Sequence, residues 1–151
     1  MIEEASETDC EELERLIAQE FAYKGLDRQK ISMRIQTPGI MVFKKIVGKK
    51  IAGFVEIEIT EGGIGMINAI SVSRKMRNKG YGKELLRHAL GRLADNECKT
   101  ARLLVKKNNS AAKKLYQDHG FWHSAVHTKK IDGEEIEVWE KEITTEHDYL
   151  N

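Results

Sequence analysis

Apolar positions along this chain recur at helical spacing in some stretches and alternate with polar positions in others. Residues 2–5 have the pattern of a short strand. Thr8-Asp9-Cys10-Glu11 has the form of a capping box, and the helix it opens sets Leu13, Leu16, Ile17 and Phe21 on one face. Gly25 is expected to end that helix. A second helix is predicted over 26–35 on poorer apolar spacing, and Pro38-Gly39 then breaks the chain. Residues 40–47 and 51–59 are strand-like and flank Gly48-Lys49-Lys50, a hairpin signal. In the second of these runs Glu56 and Glu58 share one face, expected to be solvated, while Val55, Ile57 and Ile59 take the other.

Glu61-Gly62-Gly63 turns the chain into a third strand, 64–72, and three strands in series predict an antiparallel meander. The clearest helix comes after it, where Leu85, Leu86, Ala89, Leu90, Leu93 and Ala94 make one apolar stripe. A strand over 100–106 comes next, so strand, crossover helix and strand give a parallel pair of right-handed connection. Asn109 or Ser110 caps a fourth helix, 111–119, which Gly120 stops. Two last strands, 121–129 and 134–143, meet at Asp132-Gly133, a tight hairpin turn. The organisation expected is one domain over 1–143 and a polar tail over 144–151.

Composition narrows the partners. The chain has 151 residues, 32% charged and 40% apolar, with a formal net charge of +1. That balance suits one globular domain and gives no reason to expect nucleic acid as a partner. Cys10 and Cys98 have no metal-type spacing and are expected to be free thiols in a reducing compartment, with one disulfide as the alternative. The acidic start Met1-Ile2-Glu3-Glu4 does not resemble a secretory leader, and no run of apolar residues is long enough to span a membrane. A cytoplasmic location without a membrane partner is the expectation.

The stretch Arg77-Asn78-Lys79-Gly80-Tyr81-Gly82 lies where a strand enters a glycine turn and a helix leaves it. There the first helical N–H groups lack intrahelical partners and the helix dipole adds positive charge. Glycines let a ligand approach the backbone, and Arg77, Lys79 and Lys83 add full charges, so a phosphate or pyrophosphate is the expected ligand. A P-loop is excluded because Gly82-Lys83 is succeeded by Glu84, and no Gly-x-Gly-x-x-Gly is present. Arg-x-x-Gly-x-Gly resembles the pyrophosphate motif of the GNAT family of acetyl-CoA-dependent N-acetyltransferases. About thirty residues on, Asn109-Ser110-Ala111-Ala112-Lys113-Lys114-Leu115-Tyr116-Gln117-Asp118-His119-Gly120-Phe121 is similar to that family's second signature, Asn-x-x-Ala-x-x-Leu-Tyr-x-x-x-Gly-Phe. The resemblance covers residues 64–122, and outside it only the order of elements agrees.

This resemblance implies an α/β fold of the α+β type, with a mixed, mostly antiparallel sheet of six to seven strands. The sheet is splayed at its centre and flanked by four helices. The opening lies between the strands of Ile67–Val72 and Ala101–Val105, and acetyl-CoA would occupy it. Pantetheine amides would pair with backbone at Ile70, Ser71 and Val72. The pyrophosphate would rest on Arg77, Asn78, Lys79, Gly80, Tyr81, Gly82 and Lys83. Asn109, Ala111, Ala112 and Tyr116 would border the thioester and the rest of the arm. No metal is implied, and the protein is expected to be a monomer or homodimer.

The implied reaction passes an acetyl group from a thioester to a primary amine by direct attack in a ternary complex. The amine belongs to a peptide or a small molecule. The Val72 N–H is the candidate oxyanion donor, and by resemblance Tyr116 protonates the leaving sulfur. Two carboxylates that serve as bases in relatives are replaced here, at Met66 and within Leu103-Leu104-Val105. Water relayed from Asn68, Glu56 or Glu58 is the substitute expected. Acceptor choice is expected from 22–27 and from the last hairpin, 129–135, where Asp132, Glu134 and Glu135 would attract a cation. His88 is placed on the polar side of its helix, His123 and His127 share a strand face, and Trp122 and Trp139 are expected to pack in the core or against the sheet. The missing bases also suit a different class, a non-catalytic acyl-CoA sensor or scaffold.

Overall fold

The computed structural model describes residues 1–20, 26–131 and 133–143, apart from the Glu20 side chain. Phe21, Gly25, Asp132 and the tail 144–151 therefore lie outside the described residues. Within them the expected meander is present. Strands β2 (Ile40–Val47), β3 (Lys50–Ile59) and β4 (Ile64–Val72) pair antiparallel in series, and β1 (Ile2–Glu4) extends the β2 edge. Helix α3 (Tyr81–Asp95) crosses over to β5 (Thr100–Lys106), which pairs parallel to β4. Strand β7 (Glu134–Glu142) inserts between β5 and the edge strand β6 (Trp122–Ile131). The sheet has seven strands in the order β1-β2-β3-β4-β5-β7-β6.

Two apolar clusters hold the sheet from opposite faces. On one face the stripe of α3 buries Leu85, Leu86, Ala89, Leu90 and Leu93, none more than 1% exposed, against Val55, Ile57, Ile67 and Leu103. Each buried leucine contributes about 1.5–3 kcal/mol, so this helix is the main anchor of the crossover. Helix α4 (Ser110–Asp118) adds Tyr116 to the same cluster. On the other face α1 (Cys10–Glu20) and α2 (Arg28–Gln36) pack Leu13, Leu16, Ile17 and Ile31 on Val42 and Phe54.

That second layer corrects the expectation of a solvated glutamate face on β3. Glu56 is 7% exposed, because α1 and α2 cover the strand side to which it points. The N-terminal cap also differs from the one expected. Asp9 accepts the Ser6 N–H at 2.8 Å, so the capping box begins at Ser6 and a 3-10 turn, Glu7–Asp9, precedes α1. The α2 cap is Asp27, whose carboxylate accepts the Lys30 N–H at 2.9 Å. Of the two tryptophans, Trp139 is buried in the core and Trp122, on the edge strand, is 52% exposed.

The centre of the sheet opens for two reasons of register. Between β4 and β5 the pairing runs from Ile64–Thr100 to Ile67–Leu103 and stops, although both strands continue. Between β3 and β4 Glu56 pairs with Ala69 and Ile57 with Ile67, so Asn68 is an extra residue, a β-bulge. The bulge resets the alternation. Ile67 and Ile70 both pack on the α3 side, whereas Ala69 packs with the α1–α2 cluster.

Candidate active site

The opening between β4 and β5 is a cleft of about 630 Å³ bounded by α3 and α4. Its first wall is the outer half of β4. The Ser73 N–H donates to Ala52 O at 2.8 Å, across to β3. By strand alternation the N–H and C=O groups of Val72 and Ile70 point the other way, into the opening. Arg77 crosses this wall, its Nε donating to Val72 O at 3.1 Å. The Val72 N–H is left directed at the cleft.

The second wall is the start of α3. Gly80 occupies the N-cap with φ 84°, a left-handed conformation that a side chain would strain, and Asn78 before it has φ 63°. The first helical bond runs from Glu84 N–H to Gly80 O at 3.1 Å, so the N–H groups of 81–83 have no partner within the helix. Gly82 is a different case. A Cβ there would meet Leu115 Cδ2 at 3.7 Å and Val72 Cγ2 at 3.8 Å, so it would fit while pointing between β4 and α4. Lys45 braces this turn from β2, with Nζ 3.0 Å from Glu84 and 5.1 Å from the centre of the Tyr81 ring.

The third wall is α4, capped by Asn109, whose Oδ1 accepts the Ala112 N–H at 3.2 Å. Lys113 ties the helix down through Glu137 at 3.0 Å and Lys107 O at 2.7 Å. Tyr116 lines the cleft and is 6% exposed, and burial pushes its phenol up to about 12.

Most of the expected residues therefore meet in one place. Asn68, Ile70, Ser71, Val72, Arg77, Asn78, Gly80, Tyr81, Gly82, Asn109, Ala111, Ala112 and Tyr116 all line this cleft. Lys79 and Lys83 are exposed near it without forming its wall. Glu56 lies elsewhere, beside a smaller cavity under α1 and α2. There it is gripped by Arg34, whose Nε donates to Glu56 Oε1 at 2.7 Å and whose second nitrogen donates to Oε2. Asn68 links the two cavities, with Nδ2 donating to Glu56 Oε2 and to Glu58 Oε1, both at 2.9 Å. A carboxylate can only accept, so these two bonds fix the orientation of the amide and leave Oδ1 as an acceptor.

Arg34 had no signal in the chain beyond a basic residue on a weakly patterned helix. Met66 and Leu104, the two positions at which the family resemblance implied a base, line the cleft with apolar groups. The described histidines stand apart from it. His88 is half-buried with its ring edge-on to Phe43 at 4.6 Å, not on a polar helix side. His123 stacks on Trp139 at 6.3 Å, and the His127 Nδ1 accepts the Lys129 N–H at 3.1 Å. Cys10 and Cys98 are buried free thiols and neither lines the cleft. Among the described residues no three His, Cys, Asp or Glu side chains gather to hold a metal, and no helix is long and apolar enough to cross a membrane.

No curated protein matches this sequence. Among solved structures, Ard1 from Thermoplasma volcanium superposes with a TM-score of 0.84 at 21% identity, over 95% of this chain and 97% of that one. The ribosomal-protein-S18-alanine N-acetyltransferase from Escherichia coli gives 0.83 at 21% identity, over 96% and 94%. The PaiA N-acetyltransferase from Thermoplasma acidophilum, in complex with coenzyme A, gives 0.76 at 20% identity, over 94% and 98%. At such identities these likenesses establish the fold. The family model for Acetyltransferase (GNAT) family matches residues 4–121, which run from the end of β1 through α4 and include the β4, α3 and α4 walls of the cleft. The chain belongs to the GNAT family and is an acetyl-CoA-dependent acetyltransferase.

Proposed function

We propose that the chain is an N-acetyltransferase that passes the acetyl group of acetyl-CoA to a primary amine by direct attack, with no acyl-enzyme. The observation that carries this reading is the convergence of three donor sets on one cleft. The outward backbone of Ile70 and Val72, the unpaired N–H groups at the start of α3, and the Tyr116 hydroxyl all belong to it. The α3 end and Arg77 suit a pyrophosphate, and the β4 backbone suits pantetheine amides. The Val72 N–H donates to the oxyanion as the neutral amine attacks. Absence of a thiol from the cleft wall favours direct transfer.

Tyr116 stabilises the leaving sulfur as a hydrogen-bond donor. With its phenol pushed up to about 12, complete transfer to a thiolate of ordinary pKa ~8.5 is uphill by roughly 4–5 kcal/mol. The proton that completes the thiol is therefore the one lost by the acceptor nitrogen. Glu56, held by Arg34 and Asn68, orients Asn68, and Glu58 is the carboxylate with room to pass that proton through water. Tyr116→Phe is expected to lower kcat at least tenfold while leaving the acetyl-CoA Kd within twofold. An unchanged kcat removes Tyr116 from the reaction.

A further inference from the structure

A second cavity, of about 200 Å³, lies under α1 and α2. Its walls are Leu13, Ile17, Leu26, Ile31, Val42 and Phe54, and its polar rim is the Arg34–Glu56 pair. An apolar cavity of ~150 Å³ is enough to take benzene, so this one can take a leucine or methionine side chain. It adjoins the catalytic cleft, because Ala69 lines both and Asn68, in the cleft wall, bonds Glu56 on the rim. The Asn68 bulge brings the two together by turning Asn68 and Ala69 toward the same side of the sheet.

We infer that the acceptor is an α-amine on a carbon that also bears a medium-sized aliphatic side chain and a carbonyl group. The inference rests on the N-acetyltransferase reading and adds its substrate class. Each part of that unit has a counterpart. The aliphatic side chain enters the second cavity. The amine meets Asn68 Oδ1, whose amide is oriented by its two carboxylate bonds. The carbonyl oxygen faces Arg34, whose side chain is 37% exposed and which has N–H donors beyond the two nitrogens that hold Glu56.

The amine's own chemistry agrees. At pH 7.5 roughly a quarter to two fifths of α-amines are neutral, against about a thousandth of lysine side chains. Only the lysine reaction needs a strong base at the attacking nitrogen. The cleft carries the apolar Met66 at the position where that base would stand. The same unit occurs at the N-terminus of a peptide and in a free amino acid. The two sources differ in the group bonded to the carbonyl carbon, a further amide in one and a carboxylate oxygen in the other.

The test is the rate of thiol release from acetyl-CoA with peptides that differ only in their first residue. Leu, Met, Ala and Asp are compared, beside an N-blocked peptide carrying one lysine and beside free leucine. The expected kcat/KM for Leu or Met first exceeds that for Ala first by about tenfold or more. It exceeds the lysine peptide further still. Leu26→Trp, which fills the cavity from its partly exposed edge, brings Leu-first peptides within about threefold of Ala-first ones without changing the acetyl-CoA Kd. Free leucine turned over as fast as the peptide assigns the site to amino acids, and slower turnover assigns it to chain N-termini; both satisfy the inference. Equal rates for Leu, Ala and Asp in the unsubstituted protein, or a preference for lysine, overturn it while leaving acetyl transfer in place. Failure with every amine overturns the N-acetyltransferase reading itself. The panel on the unsubstituted protein decides the matter even if Leu26→Trp does not fold.

Discussion

Gly82→Glu separates binding from folding, because the two effects have opposite signs. Gly82 is the second residue of α3, and its φ is outside the left-handed region. Replacing glycine inside a helix gains up to about 1 kcal/mol of propensity. A carboxylate in the first turn gains about another 0.3–1 kcal/mol from the dipole. A Cβ fits at 3.7 Å from Leu115 Cδ2, so no clash offsets those gains. For a domain of this size 1 kcal/mol moves Tm by about 2–4 °C, and a rise of a few degrees is expected. Binding should move the other way. The new side chain starts between Val72 and Leu115 and carries negative charge to N–H groups meant for a pyrophosphate. Like charges ~4 Å apart repel by about 1 kcal/mol in water and about 4 kcal/mol at the effective dielectric of a protein surface. Acetyl-CoA affinity should therefore fall by roughly tenfold to a thousandfold, read by titration calorimetry beside a thermal melt. A Kd within threefold of the parent's in a folded variant would refute the placement of the pyrophosphate on α3. A drop in Tm of several degrees would refute the helix argument instead.

Arg34→Met should cost about 2–4 kcal/mol in urea unfolding, because it strands the buried Glu56 carboxylate. Glu56→Met should cost less, about 1–2 kcal/mol, since the partly exposed guanidinium can reach water. The double variant should recover part of the loss, and equal effects below about 0.5 kcal/mol would dismiss the pair as a constraint. Tyr116 has a folded pKa pushed up to about 12 from an ordinary 10, so the unfolded chain loses this proton first. Its contribution is intact below pH 10 and is lost as pH rises toward 12, at about 1.4 kcal/mol per unit, and Tyr116→Phe should abolish that slope. Burial, and then the Arg92 charge, lower the His88 pKa from 6.5, so the unfolded chain protonates first. Stability present above pH 6.5 should fall below it, and His88→Leu should flatten that fall. His88 Nε2 is buried without a partner, so the same change should also add about 1 kcal/mol at pH 8, measured by denaturant unfolding.

Much of the fold and the site is legible in the chain because it is local. The stripe of α3 comes from six apolar residues at helical spacing, and the phosphate turn comes from two glycines beside a helix start. The second signature puts Asn109 and Tyr116 on one wall, and both line the cleft. The features that escape depend on contacts between distant segments. Alternation on β3 separates Glu56 from Val55, but it cannot tell whether a helix covers the glutamate side. The Arg34–Glu56 fork joins residues 22 positions apart, across a helix of weak pattern. The bulge at Asn68 is a matter of register between β3 and β4, and no residue type announces it. The chain also leaves open which tryptophan takes the core and which the sheet: Trp139 on the inner strand β7 is buried, whereas Trp122 on the edge strand β6 is 52% exposed. The Ser6 cap, two residues before the one expected, shows that two overlapping Ser/Thr-x-x-acidic patterns cannot be ranked without the helix itself.

The most direct test of the central claim is thiol release from acetyl-CoA with and without a primary amine, paired with mass analysis of the amine. Amine-dependent release, with the amine gaining one acetyl group in proportion to the thiol formed, is the result predicted. Saturable acetyl-CoA binding with no amine-dependent release for peptide N-termini, lysine side chains or small amines would contradict it, and would assign the cleft to acyl-CoA sensing.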